Sequence, residues 1–459
     1  MSMLYQMASL FSISNAVEPA TPGTGALISV AIFLLVFIAI SFQLLHETAA
    51  ALLGAVAVFL VTYILGSYNP ALQLLTFEES MVIVDWNVIF LIMGMMIFMA
   101  ILAETNVFKW LAFRLYQGAK GNALLIVVSL VTLTGIMSAF LNDVTAILLI
   151  VPLSIQIAMA IGLHPFAIVI PEILASNIGG AATLIGDPPS TIVGSHINLS
   201  FGQYLANMAP IVILCMIILV VINWLQYRGD FTKSRKIISG ALVEQLASES
   251  QIKNHKILYK AITVAGITFV GFFLANQFNQ MPPGVVALSG AVFLIVWVRP
   301  DMHSMLHEVD WTTLLFFIGL FVVVGAMEAT GAIQWLATRI AILAGESVDR
   351  AAMLSLWVSG IASGIVANIP FTVAALPVAD YLTSIFPGAG ESKIIYWALI
   401  LGADLGGNAT ILGSAPNIVA VGLLTQAGYK LTFGRFMKDG VPVTLVTLII
   451  ASIYLLIRY

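Results

Sequence analysis

The sequence predicts an all-α polytopic membrane protein, built as an inverted repeat of two related halves. Three observations lead to this prediction: the composition is strongly apolar, apolar stretches follow one another along the chain, and motifs of the first half recur in the second. Of the 459 residues, 60% are hydrophobic and 9% are charged, whereas about a quarter are charged in an ordinary soluble domain. So few charges cannot cover a globule of this size, and the excess apolar surface must face lipid.

The apolar stretches fall into two groups of six, separated by one long polar segment. The first group runs Leu27–Leu45, Thr48–Gly66, Trp86–Ala103, Asn122–Gly162, Pro165–Ser195 and Leu205–Gln226. The second group runs Ile257–Phe278, Gly284–Val298, Trp311–Glu328, Met353–Phe386, Ile394–Gln426 and Val441–Ile457. Residues 1–26 carry no Lys or Arg and are expected to form an external segment, not a cleaved signal. We therefore predict a first repeat at 27–226, a linker at 227–256 and a second repeat at 257–459.

The two halves carry the same motifs in the same order. Val84-Asp85-Trp86 recurs 225 residues later as Val309-Asp310-Trp311, and in both copies the aspartate is expected to cap a helix. Gly179-Gly180 recurs 227 residues later as Gly406-Gly407. Co-linear matches with slowly increasing offsets indicate a duplication.

The distribution of basic residues predicts opposite orientations for the two halves, because Lys and Arg concentrate in cytoplasmic loops. We place the N-terminus outside and give each half about five spanning helices, a re-entrant hairpin and a broken helix. All 18 Lys and Arg residues then lie on the cytoplasmic side except Arg339, Arg350, Lys393 and Arg458. Both termini are predicted to be periplasmic and the linker cytoplasmic, in the inner membrane. Inverted repeats of this kind are typical of alternating-access carriers.

Two pairs of segments interrupt the apolar pattern deep in the predicted membrane region. Ser138–Thr145 and Ser363–Thr372 place small and amide residues inside long apolar stretches, and each is predicted to form a re-entrant hairpin. Two ordinary spans joined by a short loop are the alternative, because they would also return the chain to the side of the membrane from which it entered. Ser176–Pro189 and Ala403–Asn417 combine Gly-Gly with later prolines, which predicts a broken helix in each half. The alternative is that these glycines only permit close helix packing.

The polar and glycine residues of these four segments are the predicted substrate-binding residues. They are Asn142, Thr145, Asn177, Gly179, Gly180, Thr183, Asn368, Thr372, Gly406, Gly407, Asn408 and Thr410. Asp143, Asp187 and Asp404 are predicted to carry protons, since intramembrane charges are costly and usually functional; the alternative is that they are buried helix caps. The four segments contain no Lys or Arg, which favours a neutral or cationic solute over a multiply charged anion.

Several classes of function are excluded by composition and motifs. With a net charge of -4 and no basic stripe, the chain is not expected to bind nucleic acid. The single cysteine, Cys215, rules out an internal disulfide and thiolate coordination of a metalloid. No Walker A pattern is present, so any ATPase would be a separate subunit. Without a nucleophile–base pair or metal cluster, we predict neither an enzyme nor a cofactor or metal site.

At these motifs the sequence resembles the ion transporter superfamily, and most closely its arsenite permease and P protein-like branch. The resemblance lies in Ser176–Pro189 (SNIGGAATLIGDPP), Asn368–Phe371 (NIPF) and Leu405–Thr410 (LGGNAT), and it extends over the chain from about residue 27. It implies a scaffold region, a mobile transport region that holds the hairpin tips and broken helices, and an elevator-type motion. It also implies a homodimer.

The hairpin tips depart from one pattern of that superfamily. P protein-like and sodium/proton members typically read Asp-Asn at both tips, whereas this chain reads Asn142-Asp143 and Ala367-Asn368. The first tip is more similar to arsenite permeases. A cation site built from the two tips would be one carboxylate short.

These observations predict a secondary transporter that exports arsenite or antimonite, coupled to protons or to the membrane potential. Arsenite at neutral pH is mostly the uncharged trihydroxide, which suits a site of hydroxyl, amide and backbone groups. A sodium/proton antiporter that binds sodium ion is the first alternative, and a di- or tricarboxylate carrier is the second. A proton-conducting subunit of a respiratory complex is a third, but the chain lacks the central Lys and Glu pairs typical of such subunits.

Overall fold

A computed structural model describes residues 23–233, 244, 247–275, 281–345 and 347–459. The first 22 residues of the predicted external segment, and Arg235 and Lys236 of the predicted linker, lie outside these ranges. Within the described part of the chain, nine helices are long and apolar enough to cross a membrane. The prediction of an all-helical, multi-pass membrane protein is confirmed.

The two halves contain similar series of helices. The helices of the first half are α1 (Thr24–Ser41), α2 (Glu47–Leu60), α3 (Phe77–Ile83), α4 (Trp86–Glu104), α5 (Val107–Gly118), α6 (Ala123–Phe140), α7 (Asp143–Ile161), α8 (Phe166–Gly180), α9 (Pro188–His196) and α10 (Phe201–Lys233). Those of the second half are α11 (His255–Leu274), α12 (Pro283–Val298), α13 (Met302–His307), α14 (Trp311–Ala329), α15 (Ala332–Ala344), α16 (Val348–Ile365), α17 (Asn368–Ile385), α18 (Ala389–Ser392), α19 (Ile394–Gly406), α20 (Ala415–Gln426) and α21 (Phe433–Arg458).

Helices α4 and α14 begin in the same way, as the repeated Val-Asp-Trp motif predicts. Asp85 accepts hydrogen bonds from the backbone of Asn87 and Val88 at 3.0 and 3.2 Å, and Asp310 accepts one from Thr313 at 3.1 Å. The predicted caps are therefore confirmed. The indole of each following tryptophan also donates a hydrogen bond to the backbone carbonyl five residues earlier. The aspartate cap and the indole bond therefore fix the start of both helices in the same way.

The halves interlock through two equivalent helix crossings, in which α4 packs on α12 and α14 packs on α2. A Cβ atom added to Gly94 would lie 2.8 Å from the backbone of Ala287, and one added to Gly319 would lie 2.8 Å from that of Ala51. Gly94 and Gly319 are 225 residues apart, the offset of the repeated motif. Small residues at a crossing let the backbones approach closely, so each half supplies one helix of every such pair.

The first residues of the predicted linker are helical. Helix α10 continues through Lys233, seven residues into the segment 227–256 that was expected to be an exposed loop. The reason is a buried contact: the Tyr227 hydroxyl donates to Asp439 of α21 at 2.6 Å, and Arg435 lies beside both. A polar segment thus stays helical because its tyrosine is paired across the two halves.

Candidate functional site

The two predicted hairpins have nearly identical tips. Helices α6 and α7 are joined through Leu141 (φ -126°, ψ 150°) and Asn142 (φ -52°, ψ 137°). Helices α16 and α17 are joined through Val366 (φ -126°, ψ 149°) and Ala367 (φ -51°, ψ 138°). Two extended residues therefore reverse the chain in both copies, and each return helix begins with a buried polar residue.

The two predicted helix breaks lie beside these hairpins. Helix α8 ends at Gly180 and α9 begins at Pro188, and α19 ends at Gly406 and α20 begins at Ala415. The first helix of each pair is held to its hairpin by the same bond: Ser138 Oγ donates to the carbonyl of Ser176, and Ser363 Oγ to that of Ala403, both at 2.6 Å. Side-chain hydroxyls thus fix both broken helices to the hairpins.

Glycines allow these helices to cross in close contact. A Cβ atom on Gly179 would lie 2.1 Å from the carbonyl oxygen of Gly135, and one on Gly406 would lie 2.3 Å from that of Gly360. Gly180 packs near Asp187, and Gly407 packs near Gly413. In both cases the neighbour lies at the other end of the same helix break. All four predicted glycines therefore have a packing role in the structure.

An amide cluster joins the two breaks in the interior of the molecule. Asn177 of the first half donates from Nδ2 to Asn408 Oδ1 at 2.8 Å and to Asn417 Oδ1 at 3.0 Å. Asn417 in turn donates to the carbonyls of Gly407 and Thr410, both at 2.8 Å. All three asparagines are fully buried. Asn177 Oδ1 accepts no hydrogen bond from any described residue, so this cluster presents a free acceptor in the interior.

The three predicted aspartates lie close together and are buried. Ser190 donates to Asp404 at 3.0 Å and accepts from the Tyr204 hydroxyl at 2.6 Å. The carboxyl groups of Asp187 and Asp404 are within hydrogen-bonding reach of each other, and Asp143 is near enough to repel both. The side chains of Asp143, Asp187 and Asp404 are at most 3% exposed. Asp187 stands at the N-cap of α9 without capping it, and its carboxyl instead faces the Asn368 amide at 3.5 Å.

The surrounding charges constrain the protonation state of this carboxyl cluster. None of the three aspartates forms an ion pair with a Lys, Arg or His of the described residues. Three helices, α7, α9 and α17, begin at the cluster, and each N-terminus contributes about half a positive charge. Three buried carboxylates repel one another, so the cluster is expected to hold a proton or a bound cation.

Two cavities reach the hairpin tips from the same end of the helix bundle. One, of about 500 Å³, is lined by Asn368 and by the loop that precedes α2. The other, of about 460 Å³, is lined by Asn142, Thr145 and the loop that precedes α14. These two loops lie at one end, because Thr48 donates to the carbonyl of Thr312 at 2.8 Å.

At the opposite end, hydrogen bonds hold α9 to the start of α4. Ser195 donates to Asp85 at 2.7 Å and accepts from Asn87 at 2.7 Å. A cavity of about 460 Å³ at that end is lined by none of the predicted site residues. The cavities at Asn142 and Asn368 thus reach the site from the end where α2 and α14 begin.

The remaining predicted residues bond to the backbone. Thr183 donates to the carbonyl of Ala139 and, with Gly179, lines a separate apolar groove of about 540 Å³ beside α10. Thr372 donates to the carbonyl of Asn368 at 2.8 Å, and Thr410 caps the short turn at Ile411–Gly413. Sequence reasoning did not select Ser190, Tyr204 or Asn417. Asn417 lies in a quoted motif, whereas nothing in the sequence around Tyr204 signals its role.

Breaking the amide cluster is expected to destabilise the protein. Asn177→Ala leaves the buried oxygens of Asn408 and Asn417 without their donor, which costs about 1–3 kcal/mol. Combined with Asn417→Ala, the loss should be smaller than the sum of the two single losses, because both variants break the same contact. Thermal unfolding in detergent of the two single variants and the double variant measures this. Additive losses would show that the two side chains are not coupled.

Comparisons with known proteins agree with this architecture. Residues 33–402 match the family described as citrate transporters. The chain is 35% identical over 434 residues to an uncharacterized transporter of Mycobacterium tuberculosis, covering 95% of this chain and 99% of that protein. It is 33% identical to a 46 kDa membrane protein of Mycobacterium leprae with the same coverage. It is 28% identical to the human P protein, covering 95% of this chain and 60% of the P protein.

Among solved structures, the fold matches the YdaH transporter of Alcanivorax borkumensis with a TM-score of 0.60. The match covers 90% of this chain and 98% of that one at 14% identity, and so it shows the fold alone. The family match and the mycobacterial relatives identify the chain as a membrane transporter and not an enzyme. The chain belongs to the citrate transporter family, within the ion transporter superfamily. The predicted relationship to that superfamily and to the P protein is confirmed.

Proposed function

We propose that this chain is a proton-coupled carrier that exports arsenite or antimonite. The observation that carries the proposal is the carboxyl cluster of Asp143, Asp187 and Asp404, buried without a Lys, Arg or His partner among the described residues. Protons are the simplest ligands that such a cluster can exchange. The amide cluster of Asn177, Asn408 and Asn417 lies between the same broken helices and supplies hydrogen bonds for an uncharged, hydroxylated solute.

The same arrangement weighs against a multiply charged anion. The family name describes citrate transporters, but citrate would meet three acidic side chains and no cationic one in the described site. The three helix N-termini at the cluster offset part of that repulsion. Transport of a carboxylate is therefore one of the outcomes that the uptake experiment below distinguishes.

A sodium/proton antiporter is the second candidate, and one observation favours it. The two hairpin tips together supply one aspartate, Asp143, but Asp187 and Asp404 join it in the folded chain. The carboxylate missing from the second tip is thus supplied by the helix breaks. A cation could replace the proton in this cluster.

We further propose that transport proceeds by an elevator-type motion in an inverted repeat. The matched hairpin tips, helix breaks and glycine crossings of the two halves support this. With the linker cytoplasmic and both termini periplasmic, the cavities at Asn142 and Asn368 open toward the cytoplasm, and the bonds of Ser195 to α4 close the other side. These bonds would have to break for the site to face outward. As the family resemblance implies, we also expect a homodimer.

Uptake into proteoliposomes under an imposed proton gradient tests the proposal. Arsenite, sodium and citrate are compared in parallel vesicles that hold the wild-type chain, with protein-free vesicles as the control. Accumulation of arsenite that collapses with the gradient supports the proposal. Sodium-driven proton movement without arsenite uptake would replace it with the antiporter, and citrate uptake alone would contradict both.

A further inference from the structure

Glu172 is a buried acidic residue that belongs to none of the motifs described above. It lies in α8 directly after Pro171, five residues before Asn177, and its side chain is 0% exposed. Its counterpart in the second half, at the 227-residue offset, is Leu399. The acid is therefore not required by the repeated architecture, since a leucine occupies the equivalent position.

Its polar contacts are incomplete. Ser154 of α7 donates to Glu172 Oε1 at 2.5 Å, and Oε2 accepts no hydrogen bond from any described residue. Helices α6, α7, α10, α19, α20 and α21 pack against α8. These helices carry the charged groups Asp143, Asp404 and Asp439, and Glu172 forms no ion pair with any described residue. A carboxylate in such surroundings is strongly disfavoured.

A purely structural role explains this residue poorly. A buried acid with one unpaired oxygen costs more free energy than an apolar side chain of the same volume, and Leu399 shows that an apolar residue is compatible with this place in the fold. Intramembrane acids are usually kept for function.

The position of Glu172 connects it to the proposed site. Ser176 lies four residues further along α8, on the same face of the helix. Its hydroxyl donates to the backbone carbonyl of Asp143 at 3.0 Å and lies 3.4 Å from the Ser138 hydroxyl. Glu172 is thus one helical turn from the contact that anchors the first hairpin, on the side toward the start of α8.

We propose that Glu172 is a second proton-binding site of the carrier, separate from the aspartate cluster. A proton binds to the free carboxylate oxygen and forms the neutral acid, while the Ser154 hydroxyl keeps its bond to the other oxygen. The proton leaves to water when movement of α8 exposes the group, and no other bond changes. This inference rests on the proton coupling proposed above, and its test therefore includes a readout that needs no transported solute.

Infrared difference spectroscopy of the membrane-embedded protein gives that readout. Glutamate labelled with carbon-13 separates the carbonyl band of a protonated glutamate from those of the three aspartates. Between acidic and alkaline buffer we expect one buried, label-shifted band to titrate, to be absent in Glu172→Gln, and to persist in Asp143→Asn and Asp404→Asn. A spectrum without such a band, or a band that survives in Glu172→Gln, would overturn the proposal.

Transport supplies the second readout. Glu172→Gln keeps the shape and the bond from Ser154 but cannot exchange a proton. Gradient-driven accumulation should fall at least about tenfold, whereas solute exchange without a gradient should stay within about twofold of wild type. Equal loss of both would mean a structural role.

If no solute of the panel is transported, the proposed function fails while the infrared result still decides the role of Glu172. If Glu172→Gln does not fold, Ser154→Ala should shift the titration of the same band, and an unchanged band would count against the proposal.

Discussion

Asp404→Asn is expected to reduce proton-driven transport by about 100-fold or more, which corresponds to about 3 kcal/mol, the order of the cost of breaking a buried polar pair. The substitution keeps the shape of the side chain and an acceptor for Ser190, but it removes an exchangeable proton from the centre of the carboxyl cluster. Asp404 is fully buried, and one of its oxygens accepts no hydrogen bond from the described donors. A proton shared with Asp187 would satisfy that oxygen. The initial rate of gradient-driven uptake into proteoliposomes measures the effect.

The matched control is Asp349→Asn, in the exposed first turn of α16. This variant should transport at the wild-type rate, because its carboxyl group lies outside the cluster. Both proteins are first checked for a single size-exclusion peak and a wild-type unfolding temperature. Unchanged coupled transport by a well-folded Asp404→Asn would remove this aspartate from the mechanism.

Gly179→Ala and Gly406→Ala are expected to damage both stability and transport. The added methyl group would lie 2.1 or 2.3 Å from a backbone carbonyl oxygen of the opposing helix. Backbone cannot move aside as a flexible side chain can, so the crossing helices must separate. Overpacking of this kind costs about 1–3 kcal/mol or more. The same crossings hold the hairpins against the broken helices, so transport should be lost together with stability.

Gly266→Ala and Gly422→Ala provide the control for this prediction. Both glycines lie within helices, are exposed, and have no heavy atom within 4 Å of an added Cβ. Alanine there should be neutral or stabilising by about 0.5–1 kcal/mol, because alanine is the better helix former. Thermal unfolding of all four variants in the same detergent gives the comparison. Equal unfolding temperatures at the two pairs of positions would contradict the close crossings.

Much of the fold follows from local patterns in the sequence. Fewer than twenty consecutive residues suffice to predict each of the Asp85 and Asp310 caps, the two hairpin tips and the two Gly-Gly breaks. The repeat supports each of these predictions, because every feature occurs twice at a nearly constant offset. Such elements are predictable since short-range geometry decides them.

The site itself depends on contacts that no local pattern reveals. Ser190 and Asp404 are 214 residues apart, and Asn177 and Asn417 are 240 residues apart. Tyr204 lies in α10, outside the predicted motifs, and becomes part of the site only through its bond to Ser190. Tyr227, in the predicted linker, likewise pairs with Asp439 from the other half. Long-range pairing therefore decides which polar residues of this chain share the interior.

Proton movement driven by solute, in vesicles without an initial gradient, tests the central claim most directly. Proteoliposomes that hold the wild-type chain and a trapped pH dye receive arsenite on one side, with Asp404→Asn vesicles as the control. The account predicts a proton flux opposite to the arsenite flux in the wild type, and none in the variant. Arsenite flux with no accompanying proton flux would show that the buried aspartates do not couple transport to protons.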